Sequence, residues 1–399
     1  MLLEALTLQL GYNATLVTVG AMLLGIAAGA TGTFLFLGKR ALVSDAISHA
    51  TLPGVALAFM LMVAFGGEGR SLPGLLLGSA VTSAIGLLCV SALTHRTRLS
   101  EDAAIGAVLS VFFGFGIVLL TVIQSMNAGR QAGLESFLLG STAGMLWNDA
   151  VVIALGGTLV LLAVLILRRP MTTVAFDPEF AAGAGMNVRR IELAMMGLAM
   201  AITVVGLKIV GLILIVALLI IPAVAARFWS HRVGHVVLLA GTFGGVAGYV
   251  GAAISATAPA LPTGPIIVLV AFAIFLMSLL IAPARGVLAA MLRHRRFQAQ
   301  VHVRQGLLAL ATDQPIYERL TLRLMKRRGL VRADGVATET GQAQAARALL
   351  DERRWQVLRS DPAHAEAAAH YDGLTPLDTV LTPDQLKALD QGLGPRATT

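Results

Sequence analysis

The chain is poor in charged residues for its length. Only 13% of its 399 residues are charged and 56% are hydrophobic, whereas soluble domains carry about 25% charged residues. A soluble protein of this composition would have too little polar surface to cover itself, so a single soluble enzyme is excluded. The one cysteine, Cys89, also excludes an intramolecular disulfide framework and any cysteine-rich metal site.

Sequence motifs of catalysis and nucleotide binding are missing as well. A phosphate-binding loop needs a glycine, four residues, then Gly-Lys and a hydroxyl residue. The nearest segment, Gly32 to Arg40, has five residues between its glycines and ends in arginine. The sequence contains no HExxH, Gly-x-Ser-x-Gly or Cys-x-x-Cys motif. We therefore expect a chain that is not an enzyme, does not hydrolyse ATP and has no permanently bound cofactor.

The charges that are present lie mostly at the C-terminal end. Residues 1–286 carry 14 Lys/Arg and 10 Asp/Glu, whereas the much shorter 287–399 carries 16 and 12. The first part is typical of a membrane domain and the second of a soluble one. The sequence thus predicts a transmembrane domain at 1–286, a basic linker at 287–300 and a small soluble domain at 301–399.

Long uncharged runs predict the membrane spans. A helix needs roughly 20 apolar residues to cross the hydrocarbon core, and the last run is long enough for two spans. This predicts an all-α polytopic membrane protein with about nine spans, or eight with a re-entrant piece because 193–207 is short. Residues 134–148 are predicted to form an external interfacial helix. The uncharged runs are 5–38, 46–67, 71–95, 103–129, 150–167, 193–207, 209–226 and 233–284.

The basic residues between spans predict the orientation, because loops on the cytoplasmic side are enriched in Lys and Arg. Alternate loops hold eleven and three such residues. We therefore expect a multi-pass protein of the plasma (inner) membrane, in contact with lipid, with its N-terminus outside and its C-terminal domain in the cytoplasm. The larger set is Lys39, Arg40, Arg96, Arg98, Arg168, Arg169, Arg189, Arg190, Arg227, Arg232 and Arg285, and the smaller set is Arg70, Arg130 and Lys208.

Asp45 and His49 are the first candidate site residues. They are four residues apart at the start of a span, so a helix places them on one face. A carboxylate and an imidazole suit Mn(II), Fe(II) or Zn(II). An ionisable pair within a span is costly unless it has a partner or a water-filled path. The pair indicates either a cation path between facing copies of this helix or a structural Asp–His hydrogen bond near the helix start.

A second candidate is the segment FDPEFAAGAGMNVRR, residues 176–190, in a predicted cytoplasmic loop. Asp177-Pro178 is typical of a helix start, with proline at the first helical position. Small residues follow at 181–185 and would give the short helix a face without bulk. Such a helix fits a groove on a partner protein, although an ordinary capped loop helix has the same pattern.

Three ordered segments resemble the manganese/zinc/iron-type permeases of the ABC-3 family. These are DAISHATLPGVALA, FDPEFAAGAGM and GLILIVALLIIPAVAAR, and SATAPALPTGPIIVL near the last span agrees with them. The resemblance covers about residues 10–285. It implies a permease subunit of an ATP-driven importer of manganese, zinc or iron.

The same resemblance implies partners and residue roles. The permease would work with a second permease copy, a cytoplasmic ATPase subunit and an extracytoplasmic metal-binding protein. Asp45 and His49 fall on the family's Asp-x-x-x-His positions and would contact the cation along the dimer axis. The loop helix would enter the ATPase cleft, with coupling residues Asp177, Pro178, Glu179, Ala182 and Gly185.

The C-terminal segment predicts a winged-helix-like α+β domain. Helical runs at 303–312 and 315–328 precede a strand–turn–strand pattern at 329–341, and a helix follows at 341–358. Residues 327–341, 345–355 and 381–395 resemble winged-helix, iron/manganese-dependent (DtxR-like) repressors. The region before the predicted wing is shortened, and His364 and His370 have altered spacing. We therefore expect metal sensing or dimerisation, and no nucleic acid partner.

Two other functions fit parts of the sequence. A permease for a metal chelate such as a siderophore or cobalamin would share the spans, but its large cargo needs a wide path without direct ligands. A membrane-tethered, metal-responsive regulator would share the C-terminal domain, but it needs far fewer spans.

Overall fold

The computed structural model describes residues 4, 7–9, 11–67, 69, 71–125, 147–258, 261–360, 368–369, 372–374 and 376–392. The chain divides into two compact units, Met1–Ala289 and Ala290–Thr399. The first unit contains helices α1 (Tyr12–Leu37), α2 (Ala41–Ala64), α3 (Leu72–Arg96), α4 (Glu101–Ser125), α5 (Trp147–Phe176), α6 (Pro178–Gly183), α7 (Val188–Val210), α8 (Leu212–Arg227), α9 (Val233–Ser255) and α10 (Thr263–Ile281).

Eight helices of the described residues are long and apolar enough to cross a membrane: α1–α5, α7, α9 and α10. Helices are the expected form of these runs, since lipid offers no hydrogen-bond partners to the backbone. The expected all-α polytopic membrane protein is therefore confirmed. All but the last two residues of 134–148, the predicted interfacial helix, lie outside the described residues, and those two begin α5.

The predicted ninth span is the short helix α8. It has 16 residues, or about 24 Å of helix, against a hydrocarbon core of about 30 Å. Gly211 alone separates it from α7 and has a positive φ of 80°, a conformation that favours glycine. Gly211 turns the chain directly from α7 into α8, so the predicted run 209–226 forms a helix shorter than the eight others.

Helix α1 lies at the centre of the first unit and packs against α5, α7, α8 and α9. It approaches α9 backbone to backbone, because a Cβ atom at Gly25 would overlap the carbonyl oxygen of Gly244. One turn further along, a Cβ at Gly29 would overlap the carbonyl oxygen of Ala240. Small residues of this kind let membrane helices approach backbone to backbone.

Arg40 fixes the beginning of α2. Its guanidinium donates a hydrogen bond to Oε1 of Glu192 in α7 over 2.8 Å, and its Nε lies 3.4 Å from Oε1 of Glu101 in α4. The side chains of Arg40 and Glu192 are 16% and 13% exposed, so the pair is shielded from water. His95, at the end of α3, lies 4.0 Å from the other oxygen of Glu192. These contacts join the starts of α2, α4 and α7 at one end of the bundle.

The second unit is mainly helical. It contains most of α11 (Val287–Ala311), then α12 (Arg319–Arg327), α13 (Glu339–Ser360), a 3₁₀ turn at Leu377–Thr379 and α14 (Pro383–Gly392). Residues 287–300, predicted as a basic linker, form the first part of α11. One apolar cluster joins α11, α12 and α13, and a second surrounds the buried Trp355.

The predicted wing is reduced to a tight hairpin. Gly335 has a φ of 92°, and the Arg332 amide donates to the Val336 carbonyl over 2.8 Å. Only an isolated bridge between Val331 and Ala337 is formed, and the described residues contain no strand. The predicted α+β class of this domain is therefore not supported by the described residues. Too few residues remain between α12 and α13, once the turn is made, to build strands.

Arg40→Gln is expected to destabilise the first unit. Glutamine cannot replace the charged hydrogen bond, which leaves the shielded Glu192 with only the longer contact to His95, so the free energy of unfolding should fall by about 2 kcal/mol. Thermal unfolding of the purified protein measures this, with Arg98→Gln, at an exposed arginine of the loop between α3 and α4, as the control. Equal melting temperatures for Arg40→Gln and wild type would show that the Arg40–Glu192 pair does not stabilise the first unit.

Asp390→Asn is expected to loosen α14 from α13. Arg354 donates hydrogen bonds of 2.7 and 2.6 Å to the two oxygens of Asp390, and these bonds lower the pKa of that carboxyl. The stabilisation is therefore present above the pKa of the unfolded carboxyl, about 3.9, and is lost as pH falls through the lowered folded-state pKa. At neutral pH the pair should contribute about 1 kcal/mol.

Hydrogen exchange of residues 383–392 in the full-length protein tests this expectation. Asp390→Asn should speed exchange at neutral pH, whereas Asp384→Asn, a change at an exposed carboxylate of the same helix, should not. Unchanged protection in Asp390→Asn would rule out a stabilising role for the pair.

Candidate functional site

Asp45 and His49 lie together near the start of α2. Nε2 of His49 is 3.5 Å from Oδ1 of Asp45, as four-residue spacing on a helix requires. At 1.5 Å per residue they lie about 6 and 12 Å beyond the first residue of α2. The pair therefore lies in the half of α2 that begins at the end of the bundle holding Arg40 and Glu192, here called the arginine-rich end, with His49 nearer the middle of the helix.

The two side chains differ in exposure. His49 is 19% exposed and Asp45 is 43% exposed. The imidazole packs edge-on against Phe113 of α4, with ring centroids 4.9 Å apart, and its Nδ1 is buried without a hydrogen-bond partner among the described residues. Phe113 thus holds the ring so that Nε2 faces Asp45, while the carboxylate opens outward beside exposed Leu42.

One chain would provide only part of a metal site at Asp45 and His49. Within the described residues no group of three or more His, Cys, Asp or Glu side chains could hold a metal ion. Protein-bound transition metals usually take four or more ligands, and Asp45 and His49 would supply two. The exposed side of Asp45 is therefore where further ligands would have to come from.

The loop helix α6 begins where the sequence predicts. Oδ1 of Asp177 accepts a hydrogen bond of 2.9 Å from the Phe180 amide, so Asp177 caps a helix that starts at Pro178. Ala181 is fully buried against the bundle, whereas Glu179, Ala182 and the following residues to 185 are exposed. Part of the predicted small face therefore points inward, and the rest is free for contact.

The outward side of α6 also carries aromatic residues that sequence reasoning missed. Phe180 is 65% exposed and Phe176, at the end of α5, is 57% exposed. Gly185 has a φ of 80° and open space at its Cβ position, so it serves the turn into α7. The sequence feature that indicates this surface is Phe180, an aromatic residue in a short capped helix of a predicted loop. Aromatic side chains are usually largely buried, so one in such a loop indicates a contact surface.

The two candidate sites belong to different segments, and α7 connects them. α6 leads through Asn187, whose side chain caps α7, and Glu192 of α7 binds Arg40 next to α2. Local sequence patterns could not reveal this link, because Arg40 and Glu192 are 152 residues apart in the sequence.

Comparison with known proteins agrees with this arrangement. Residues 12–282 match the ABC 3 transport family. The chain is 41% identical over 308 residues to the manganese transport system membrane protein MntC of Bacillus subtilis, covering 77% of this chain and 70% of that protein. It is 39% identical over 285 residues to the zinc transport system membrane protein TroC of Treponema pallidum, covering 71% and 94%.

A solved structure has a similar fold. It is PsaBC from Streptococcus pneumoniae in complex with Fab, where the matched chain has a TM-score of 0.62 and 31% identity, over 71% of this chain and 98% of that one. The family match spans α1 to α10 and includes both candidate sites. This chain belongs to the ABC 3 transport family and is a membrane permease of that family.

Proposed function

We propose that this permease imports a divalent transition metal, manganese or zinc, with ATP hydrolysed on a separate subunit. The relatives described above are named for manganese and for zinc, and none of them is named for iron, so the third metal expected from the sequence is not retained. Aspartate and histidine bind both ions, so the pair itself does not select between them.

The incomplete site formed by Asp45 and His49 carries this proposal. Two ligands lie 3.5 Å apart, and the carboxylate is open on one side. A second copy related by a two-fold axis would present the same pair from the opposite side. Two carboxylates and two imidazoles would then surround one cation, and their two negative charges would balance its charge of +2.

Charge balance matters because a bare divalent ion is very costly to place in hydrocarbon. Asp45 and His49 would replace water molecules as the cation passes, and Phe113 would keep each imidazole turned toward its carboxylate. Since the site lies in the half of α2 that begins at the arginine-rich end, we infer that it acts in the half of the pathway nearer its exit.

The arginine-rich end is proposed to be cytoplasmic. Arg40 reaches Glu101 and Glu192 from a different loop, and the Arg285 amide donates to the Phe228 carbonyl, so several of the basic loops share one end of the bundle. Cytoplasmic loops are enriched in such residues. The N-terminus would then lie outside, where an extracytoplasmic metal-binding protein would deliver the ion, and residues 290–399 would lie inside.

The ATPase subunit is proposed to bind α6. Asp177 and Pro178 set the start of this helix, and Glu179, Ala182 and Gly185 are exposed around it. Exposed Phe180 would fill a pocket on the ATPase, since buried aromatic side chains supply much of the binding energy of protein interfaces.

The C-terminal unit is proposed to have a regulatory role. Its α12, tight hairpin and α13 keep the chain order of a winged-helix repressor, although the hairpin is too short for a normal wing. We favour metal sensing or dimerisation over operator binding, so nucleic acid is not a proposed partner.

Asp45→Asn and His49→Gln should each reduce metal uptake by about tenfold or more, because each removes a ligand or its charge. Uptake of manganese and zinc by the complete transporter in vesicles measures this. Asp102→Asn, at an exposed carboxylate at the start of α4, is the matched control and should transport normally. Wild-type uptake by either ligand variant would refute the assignment, whereas loss of subunit assembly would indicate a structural Asp–His pair.

Phe180→Ala should weaken binding of the ATPase subunit by about tenfold, the usual effect of removing an aromatic anchor from an interface. Co-purification of the ATPase and its permease-stimulated hydrolysis are the two measurements. Phe297→Ala, at an exposed phenylalanine of α11, is the control. If Phe180→Ala retained both properties at wild-type levels, α6 would not dock through this side chain.

A further inference from the structure

A cavity of about 1010 Å³ lies between α1, α5 and α9, within the transmembrane unit. Its walls are mostly apolar, with Ile26 of α1, Leu161 and Leu165 of α5, and Leu238 of α9 among them. Gly241 of α9 also lines it and adds no side chain. We refer to this cavity as the three-helix slot. It plays no part in the proposed metal path.

The slot has the length of one bilayer leaflet. Its lining residues extend over Met22–Phe34 of α1 and Val233–Val246 of α9, or about 18–20 Å of helix. A leaflet with its headgroups is about half of the full bilayer thickness of 40–45 Å. The glycine contacts described above align α1 and α9 in opposite directions, so Phe34 and Val233 lie at the same end.

The end of the slot near Phe34 and Val233 is positively charged. Arg168 and Arg169 of α5 are the only charged residues among those that line it, and both are exposed. The hydroxyls of Thr172 and Thr173 donate to the carbonyls of these arginines over 2.6 and 3.2 Å, and so are already occupied. The two guanidinium groups are therefore the groups that remain to bind an anion, and no carboxylate of the lining opposes them.

We propose that the three-helix slot binds one anionic phospholipid from the leaflet on the arginine-rich side. Its acyl chains would lie against Leu161, Leu165 and Leu238, and its phosphate would accept hydrogen bonds from Arg168 and Arg169. Charge and length both favour this occupant. A free phosphate would leave most of the apolar slot unfilled. A zwitterionic lipid would bring its own cation close to the two arginines, so its net charge would not balance theirs.

Native mass spectrometry of the complete, detergent-purified transporter tests the proposal. Dimyristoyl phosphatidylglycerol and dimyristoyl phosphatidylcholine, which share acyl chains and differ in headgroup charge, are added separately. Wild type should retain phosphatidylglycerol in preference to phosphatidylcholine. In the double variant Arg168→Gln/Arg169→Gln, retention of phosphatidylglycerol should fall roughly tenfold. Arg96→Gln/Arg98→Gln removes the same charge from exposed positions outside the slot and should behave as wild type.

A second pair of measurements separates the lipid from its headgroup. Glycerol 3-phosphate, which has no acyl chains, should not compete with phosphatidylglycerol. Leu238→Trp adds bulk to the slot and leaves both arginines in place, so it should lower retention of the anionic lipid. If glycerol 3-phosphate competed fully and Leu238→Trp had no effect, the arginines would be a simple anion site and the lipid proposal would be wrong.

Two results would overturn the proposal directly. One is equal retention of phosphatidylglycerol by wild type and the double arginine variant. The other is capture of a second copy of the chain, rather than of lipid, by a photo-crosslinking amino acid at position 238, which would make the slot an interface between copies.

Discussion

The backbone contact between α1 and α9 is the constraint on which the transmembrane unit depends. Inside a bilayer, apolar side chains gain little by leaving lipid for protein, so close packing must hold helices together. Gly25 and Gly244 meet without side chains between them, and Gly248 meets Ala21 in the same way one turn further on. This contact places α1 at the centre, where α5, α7 and α8 pack around it, and it leaves room between α1, α9 and α5 for the three-helix slot.

Much of the transmembrane architecture could be predicted from the sequence, because its signals are local. Uncharged runs give the spans, four-residue spacing places Asp45 beside His49, and Asp177-Pro178 marks the start of α6. These features depend on hydropathy, helix geometry and capping, which act within a few residues of the chain. The role of each of these site residues stays a prediction until it is measured.

What the sequence did not reveal depends on distant or very small features. The Arg40–Glu192 pair joins residues from separate loops, and no local pattern indicates it. The difference between a ninth span and the short α8 depends on the positive φ of Gly211. The predicted wing had the right turn at Asp334-Gly335, but the spacing between the flanking helices decides how many bridges form, and that spacing left an isolated one.

In the proposed mechanism, α7 connects α6, the helix that binds the ATPase, with the metal site on α2. α6 follows α5 and leads directly into α7, and Ala181 is anchored in the bundle, so a displacement of α6 must move the start of α7. Glu192 lies one turn inside α7 and carries that movement to Arg40, the residue that precedes α2. Asp45 and His49 are in the first turns of α2. A shielded ion pair transmits displacement well because separating its charges is costly. In the proposed mechanism, ATP-driven motion at α6 would therefore change the spacing of the metal ligands in both copies without unfolding any span.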